Sequence, residues 1–283
     1  MRKILLSLLT VSAVAVVAVT ATGAFFNDVE TSQDNTLTAG ELDLKVNNAC
    51  HYWTDVNADG TFIDVGCDPD GGGPIVTDWL LSDLVPGVHT FFSFHDVKPG
   101  DSGEDTVSLR VFDNDSWGRL VISNVQDLEN GCTEPENDVP DPSCGAGNDE
   151  GELRENLSFW VWLDQGTIPG FQCPDGFPGC LGTDHEEGDN IWQEDTEPPL
   201  ITPGLIVLAG ETHNIWDGLA LAASTYGTGG GLHIDGHMEG NITYYFGIGW
   251  DLPSTVGNIV QTDSLSADMA FEVEQYRNNP TPF

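Results

Sequence analysis

The residues best placed for chemistry lie in one short run, Asp55-Val56-Asn57-Ala58-Asp59-Gly60-Thr61-Phe62-Ile63-Asp64. Oxygen side chains stand at its first, third and fifth positions. Gly follows at the sixth and a backbone carbonyl is offered at the seventh. That is the first half of a calcium loop, in which alternate residues converge on a hard cation and Gly permits the sharp turn. The bidentate Glu expected at the twelfth position is absent, since Gly66 stands there. The expected ligands are therefore Asp55, Asn57, Asp59, Thr61 and Asp64, set against the plain alternative of a solvated acidic turn. A second acidic run, Asp184 to Asp195, has looser spacing.

Catalytic patterns are sparse. No His-Glu-x-x-His occurs, and His233 and His237 are four apart but separated by Gly236 in a strand-like setting. No Gly-x-Ser-x-Gly and no phosphate-binding glycine loop is present. With 46 carboxylates, chance acidic pairs are unavoidable and carry no weight for glycoside chemistry. The expectation is a chain without catalytic residues.

All six cysteines lie beyond residue 24, and none forms a CxxC pair. Six allow fifteen connectivities. Their spacing suggests three local bridges, Cys50–Cys67, Cys132–Cys144 and Cys173–Cys180, each closing an acidic Gly/Pro-rich loop. Such usage fits an oxidising compartment. Asn114, Asn156 and Asn241 open N-glycosylation triplets. Asn241, at the start of the best strand pattern, is expected to be the buried one.

The N-terminus reads as an address. Arg2 and Lys3 precede an apolar stretch from Ile4 to Thr20, and small residues lead to Ala24. This predicts a secretory signal peptide over residues 1–24, removed by signal peptidase, with no stable membrane insertion afterwards. The alternative is an uncleaved anchor, because the run is near the lower length limit for a span. The 283 residues hold 46 acidic and 8 basic side chains, a formal charge of −38. Losing residues 1–24 removes two more cations. That balance excludes nucleic acid as a partner and disfavours anionic lipid. It points to a salt-adapted, halophilic source or to an exterior rich in divalent ions.

The chain behind these residues alternates. Leu42, Leu44 and Val46 interleave with polar residues, as do Val107, Leu109 and Val111; so do Leu157, Phe159, Val161 and Leu163. The longest such row is Ile242, Tyr244, Phe246, Ile248 and Trp250, and Met269, Phe271 and Val273 come last. Period two is the half-buried strand signal. Further strands are expected at 88–94, 117–125 and 201–208. Helix is expected only at 214–223, with a turn near 256–262. The fold class is thus all-β, an antiparallel β-sandwich with long acidic loops at 126–151 and 164–200.

Residues Ala24-Phe25-Phe26-Asn27-Asp28-Val29-Glu30-Thr31-Ser32 and Asn35-Thr36-Leu37-Thr38-Ala39-Gly40-Glu41-Leu42-Asp43-Leu44 resemble the TasA/camelysin family. Weaker similarity continues at Val97–Asp101, Asp113–Asp115, Gln261–Ser264 and Phe271–Val273. The resemblance implies a jelly-roll-like sandwich over 37–283 that is secreted and polymerises head-to-tail into extracellular or biofilm-matrix fibres. Residues 25–36 would be the donor strand, with Phe25, Phe26 and Val29 as apolar anchors. The cysteine-bracketed loops and the acidity depart from that family. The competing readings are a monomeric secreted module binding calcium or carbohydrate, and a camelysin-like metalloprotease.

Overall fold

The computed structural model describes residues 27–31, 36–37, 42–57, 59–67, 76–94, 96–137, 151–172, 184 and 186–283. The strands are β1 (Asn27–Thr31), β2 (Thr36–Leu37), β3 (Asp43–Thr54), β4 (Ile63–Asp64), β5 (Trp79–Ser82), β6 (Ser102–Phe112), β7 (Ser116–Leu128), β8 (Ser158–Leu163), β9 (Pro199–Gly204), β10 (Glu211–Asn214), β11 (Thr243–Asp251) and β12 (Ser264–Gln275). They form two antiparallel sheets. The smaller runs β10-β7-β12-β1-β2; the larger runs β4-β3-β6-β11-β8-β9, with β5 beside β4 on the free edge of β3. From β6 to β12 most connections cross between the sheets, as in a jelly roll.

Alternation explains the layering. Every second residue of β3 is buried, from Leu44 to Thr54. Its inward row meets Val107, Leu109 and Val111 of β6, Phe159, Val161 and Leu163 of β8, and Tyr244, Phe246 and Ile248 of β11. The small sheet answers with Leu120 and Ile122 of β7 and with Met269, Phe271 and Val273 of β12. Phe271 sits against Phe91 and Phe246, ring centroids 5.9 and 6.2 Å apart. At one end Tyr52, Trp250 and Phe94 gather around the Cys50–Cys67 disulfide in a second cluster.

The longest helix among the described residues, α1 (Ile215–Tyr226), packs against β7 and β9 through Ile215, Leu219, Ala222 and Ala223. A 3-10 turn spans Gly257–Val260. Both fall where the sequence places them. The expected strand at 88–94 does not form: only His89 makes a bridge, to Val76. Its aromatic residues are not alternating. Phe91 enters the main core, Phe92 packs against that core as well as the second cluster, and Phe94 packs against the second cluster. A pleated strand cannot send neighbours 91 and 92 toward one core.

The large sheet departs from simple alternation at β6, where residues 103–109 are buried on both faces. Its outer face is therefore covered. Gly247 and Gly249 of β11 lie flat there beneath Trp162 and Trp160; a Cβ at either position would run into the indole. Trp162 stacks in turn on Trp192 from the loop above, centroids 6.1 Å apart. Gly247→Ala should therefore destabilise the fold by about 1–3 kcal/mol through overpacking. The check is a lower urea midpoint at unchanged slope; an unaltered midpoint would mean that the indole moves aside freely.

Candidate functional site

The covered outer face is where ionisable groups collect. Along β6, Glu104 and Thr106 point outward, opposite in sense to the core-facing Val107 and Leu109. They stand in register with Gly249 and Gly247 of β11, which pair with Trp160 and Trp162 of β8. Asp164 follows β8 on the same outward row. Residues 186–197 lie over this surface. Gly188 N–H donates to Asp164 Oδ1 at 2.8 Å. Thr106 Oγ1 joins Glu104 Oε1, at 3.2 Å, to Asn190 Oδ1. Glu197 accepts from Gly166 N–H and Gln193 N–H, both at 2.8 Å, and Trp192 Nε1 donates to the Glu197 carbonyl.

The loop leaves Glu104 5% exposed and Asp164 and Glu197 fully buried. Glu104 Oε2 has no hydrogen-bond partner, whereas the Asp164 carboxylate also accepts from Asn190 N–H and shares a side-chain hydrogen bond with the Glu197 carboxyl. Burial, and then the charge of Asp164, pushes Glu104 up to about 9. Burial likewise raises Asp164, opposed by the Gly188 N–H and reinforced by Asp189. Glu197 rises through burial and the neighbouring Asp164. No Lys or Arg among the described residues pairs with any of them; the cations bind Asp43, Asp83, Asp96, Asp127, Glu155 and Glu272 instead.

A second acidic group sits at the far end of β7. One oxygen each from Glu129, Glu152 and Asp263 lies within 4.8 Å of the others, a spacing one divalent cation could bridge. Burial first, then repulsion from Glu129, Glu152 and Asp127, lifts Asp263 to about 7, against the Glu152 N–H.

The residues expected to form a calcium loop occupy an exposed turn. Asp55 accepts from Asp59 N–H at 3.1 Å and Gly60 N–H at 2.6 Å, and Asp59 accepts from Thr61 N–H at 2.9 Å. Asp64 is drawn away into β4. Its Oδ2 meets His51 Nδ1 at 2.6 Å, and its Oδ1 accepts from Tyr52 and Gly66 N–H. Partial burial opposes its ionisation, but His51 and the two amides outweigh that and hold its pKa below the ordinary value. The structure brings Asp55, Asp59 and Thr61 into one turn and does not bring Asp64 to them. Asn57 is exposed on the same turn.

Cys50 and Cys67 are bonded, with Cα atoms 5.7 Å apart. Cys132 is also in a disulfide. Cys144, Cys173 and Cys180 lie outside the described residues, as do Phe25, Phe26 and the signal segment. Asn241 is exposed rather than buried. It sits at φ 68°, in the tight turn before β11, where the backbone turns outward. Asn114 and Asn156 are half-buried, and Asn156 Nδ2 is engaged with the Glu152 carbonyl at 2.8 Å. His233 and His237 stack at 3.9 Å, their nitrogens turned to Glu239 and Asp235.

β1 runs antiparallel to β12, from Asn27 opposite Glu274 to Thr31 opposite Ala270, and Val29 faces Glu272 in register. Among the described residues its other edge pairs with the two-residue β2. Among the described residues no helix is long and apolar enough to cross a membrane. No protein-family model matches this chain, and no curated protein matches it.

Two outcomes test these placements. Replacing Cys50 and Cys67 by Ser should cost about 2–4 kcal/mol, read as a lower denaturant midpoint; no loss would show that the second cluster holds without its bridge. Asp263→Asn tests the crowded group in chelator. A folded pKa near 7, above an unfolded value of about 3.9, means that the stability it contributes is complete below about pH 4 and lost as the pH rises to about 7. The variant should match the parent at pH 4 and become progressively more stable than it up to pH 7. A difference independent of pH would refute the assignment.

Proposed function

We propose that this chain is a secreted structural subunit that polymerises by exchanging its N-terminal strand between copies. The observation that supports this most is the slot along β12. β1 fills it with main-chain pairing over only five residues, and β2 caps it with two. Were β1 to leave, residues 270–274 of β12 would expose a row of unsatisfied N–H and C=O groups. The β1 of a second copy satisfies that row equally well. The two arrangements make the same bonds, so closure entropy and concentration decide between them. Donor and slot are different surfaces, and the contact propagates as an open head-to-tail filament.

Electrostatics permit the exchange at this edge. Asp28 and Glu30 make the strand acidic, yet Glu272 opposite Val29 is already neutralised by Arg119 at 2.5 Å. The resemblance of residues 24–44 to the TasA/camelysin family supports the same reading, and with it a signal-directed route to the cell exterior. Phe25 and Phe26 would add apolar anchors beside Val29. In this reading the chain is not an enzyme.

Residues directly opposite in an antiparallel pair have Cα atoms about 4.5–5.5 Å apart, within disulfide reach. A Val29→Cys, Glu272→Cys variant oxidised as monomer should therefore lock β1 on its own chain and abolish fibres under electron microscopy, with reduction restoring them. The same variant oxidised after assembly should give a ladder of covalent multimers on a non-reducing gel. Fibres from the locked monomer equal to those of the parent would sink strand exchange.

A further inference from the structure

We infer that the Asp105 carboxyl is the proton acceptor for closure of the Cys50–Cys67 disulfide and the proton donor for its reopening. The inference concerns how the subunit reaches its oxidised fold and does not depend on polymerisation.

Three observations converge. The first is distance. One carboxylate oxygen of Asp105 and the two sulfurs all lie within 4.8 Å of one another. Sheet register produces this: Cys50 of β3 stands directly opposite Asp105 of β6, and the chain returns after β4 to bring Cys67 to them. The second is an unused oxygen. Asp105 is wholly buried; Asn48 Nδ2 donates to its Oδ1 at 3.1 Å, and its Oδ2 has no hydrogen-bond partner. A carboxyl oxygen left so in a core is costly and rare. The third is the exclusion of water and of other bases. Cys50 is 4% and Cys67 1% exposed. The two acids whose charge reaches Asp105 are placed differently. Asp78 is exposed and accepts from Cys50 N–H at 2.8 Å, and Glu104 points to the opposite face of β6. His51, beside Cys50, is turned outward to Asp64 at 2.6 Å. On the other flank, β11 places Ile248 opposite Asp105.

Disulfide chemistry needs such a group. The thiolate is the form that attacks a disulfide, and apolar burial keeps a thiol protonated. A cysteine shut away from water must therefore hand its proton to a neighbour. In closure, Cys67, on the connection outside the sheet, first carries a mixed disulfide with a small disulfide oxidant such as oxidised glutathione, whose other half has left as a thiol. The Cys50 S–H proton passes to the Asp105 carboxylate. The Cys50 thiolate attacks Cys67 Sγ and the Cys50–Cys67 bond forms. The oxidant's sulfur leaves with the electron pair of the broken bond and is protonated. Two protein thiols are oxidised, and one oxidant disulfide is reduced to two thiols. Reopening by a thiol reductant runs the same steps in reverse. Burial, and then Glu104, raises Asp105 well above the usual carboxylate value, against Asn48, with Asp78 adding to the rise. A carboxyl raised in this way takes a thiol proton more readily than an ordinary one.

The test uses the purified chain, reduced and then reoxidised with oxidised glutathione. Samples are quenched with acid, alkylated and followed by peptide mass spectrometry from about pH 5 to about pH 9, a span that brackets the free thiol value of about 8.5. Each bridge is read separately, so the disulfide of Cys132 is a control within the same molecule. In the parent, closure of Cys50–Cys67 should follow two ionisations, because carboxyl and thiol share one proton and titrate as a pair. Asp105→Asn keeps the side-chain shape and the oxygen that Asn48 holds. It should slow Cys50–Cys67 closure at about pH 7 by at least about tenfold, leave a single thiol ionisation, and spare the Cys132 bridge. Asp78→Asn should change neither bridge. Closure in Asp105→Asn at the parental rate and pH profile would overturn the inference. So would equal slowing of both bridges, which marks a folding defect, or the same loss in Asp78→Asn. If the Asp105 variant does not fold, the parent profile decides by itself: a rise governed by one thiol ionisation near about pH 8.5 leaves Asp105 no part in the step.

Discussion

Carboxylate oxygens bonded to backbone N–H groups hold this molecule's irregular parts in place. With 46 acidic and 8 basic side chains, ion pairing can neutralise only a few acids. The loops instead close by turning amides toward carboxylates. Asp101 accepts from Lys98 N–H at 2.7 Å while receiving the Tyr52 hydroxyl. Asp184 gathers Ile168 and Glu186 amides, Glu197 gathers Gly166 and Gln193, and Asp55 gathers Asp59 and Gly60. Each such bond is charge-assisted and stronger than a neutral one. Each also fixes a loop without Lys or Arg. The acidity is thus a structural material as well as a source of repulsion.

That constraint explains which features were legible. Strands with one wet face, such as β3, announce themselves by alternation, and so do β7, β8, β11 and β12. Helix α1 is visible because Leu219, Ala222 and Ala223 share a helical face. Short strands are not visible: β4, β5 and β10 are two to four residues long, below the length at which a period can be counted. The 88–94 segment misleads because adjacent Phe91 and Phe92 both pack against the main core, which the pleat of a strand does not allow. The Cys50–Cys67 bridge was readable because both cysteines flank a single turn between β3 and β4.

The buried carboxylates could not be found by spacing. Glu104, Asp164 and Glu197 come from three distant stretches, joined only by sheet register and a returning loop. The one local hint is Glu104-Asp105 inside a strand, where acidic residues have no open face to use. Asp105 looks inward, fully buried and held by Asn48 Nδ2 at 3.1 Å, while Glu104 looks outward under the loop. The Asp263 group differs in kind. Its carboxylates remain partly wet, so water can solvate their charge. Solvent exclusion, more than the number of carboxylates, separates the two groups.

The two ionic problems are solved on different sheets. The Glu104–Asp164 pocket lies on the outer face of the large sheet, whereas β1 lies on β12 in the small one. Burial of the carboxylates on the large sheet therefore leaves the β1–β12 edge untouched. In the proposed polymer, repulsion between whole subunits is a different quantity. It arises from dozens of surface carboxylates and falls with any salt, because screening depends on ionic strength and not on ion identity. Protonation of the buried group depends on pH and saturates. In that reading assembly should answer to bulk salt, and the stability of the fold to pH, as separable responses, since a few buried carboxyls cannot offset a charge of −38 spread over an entire surface.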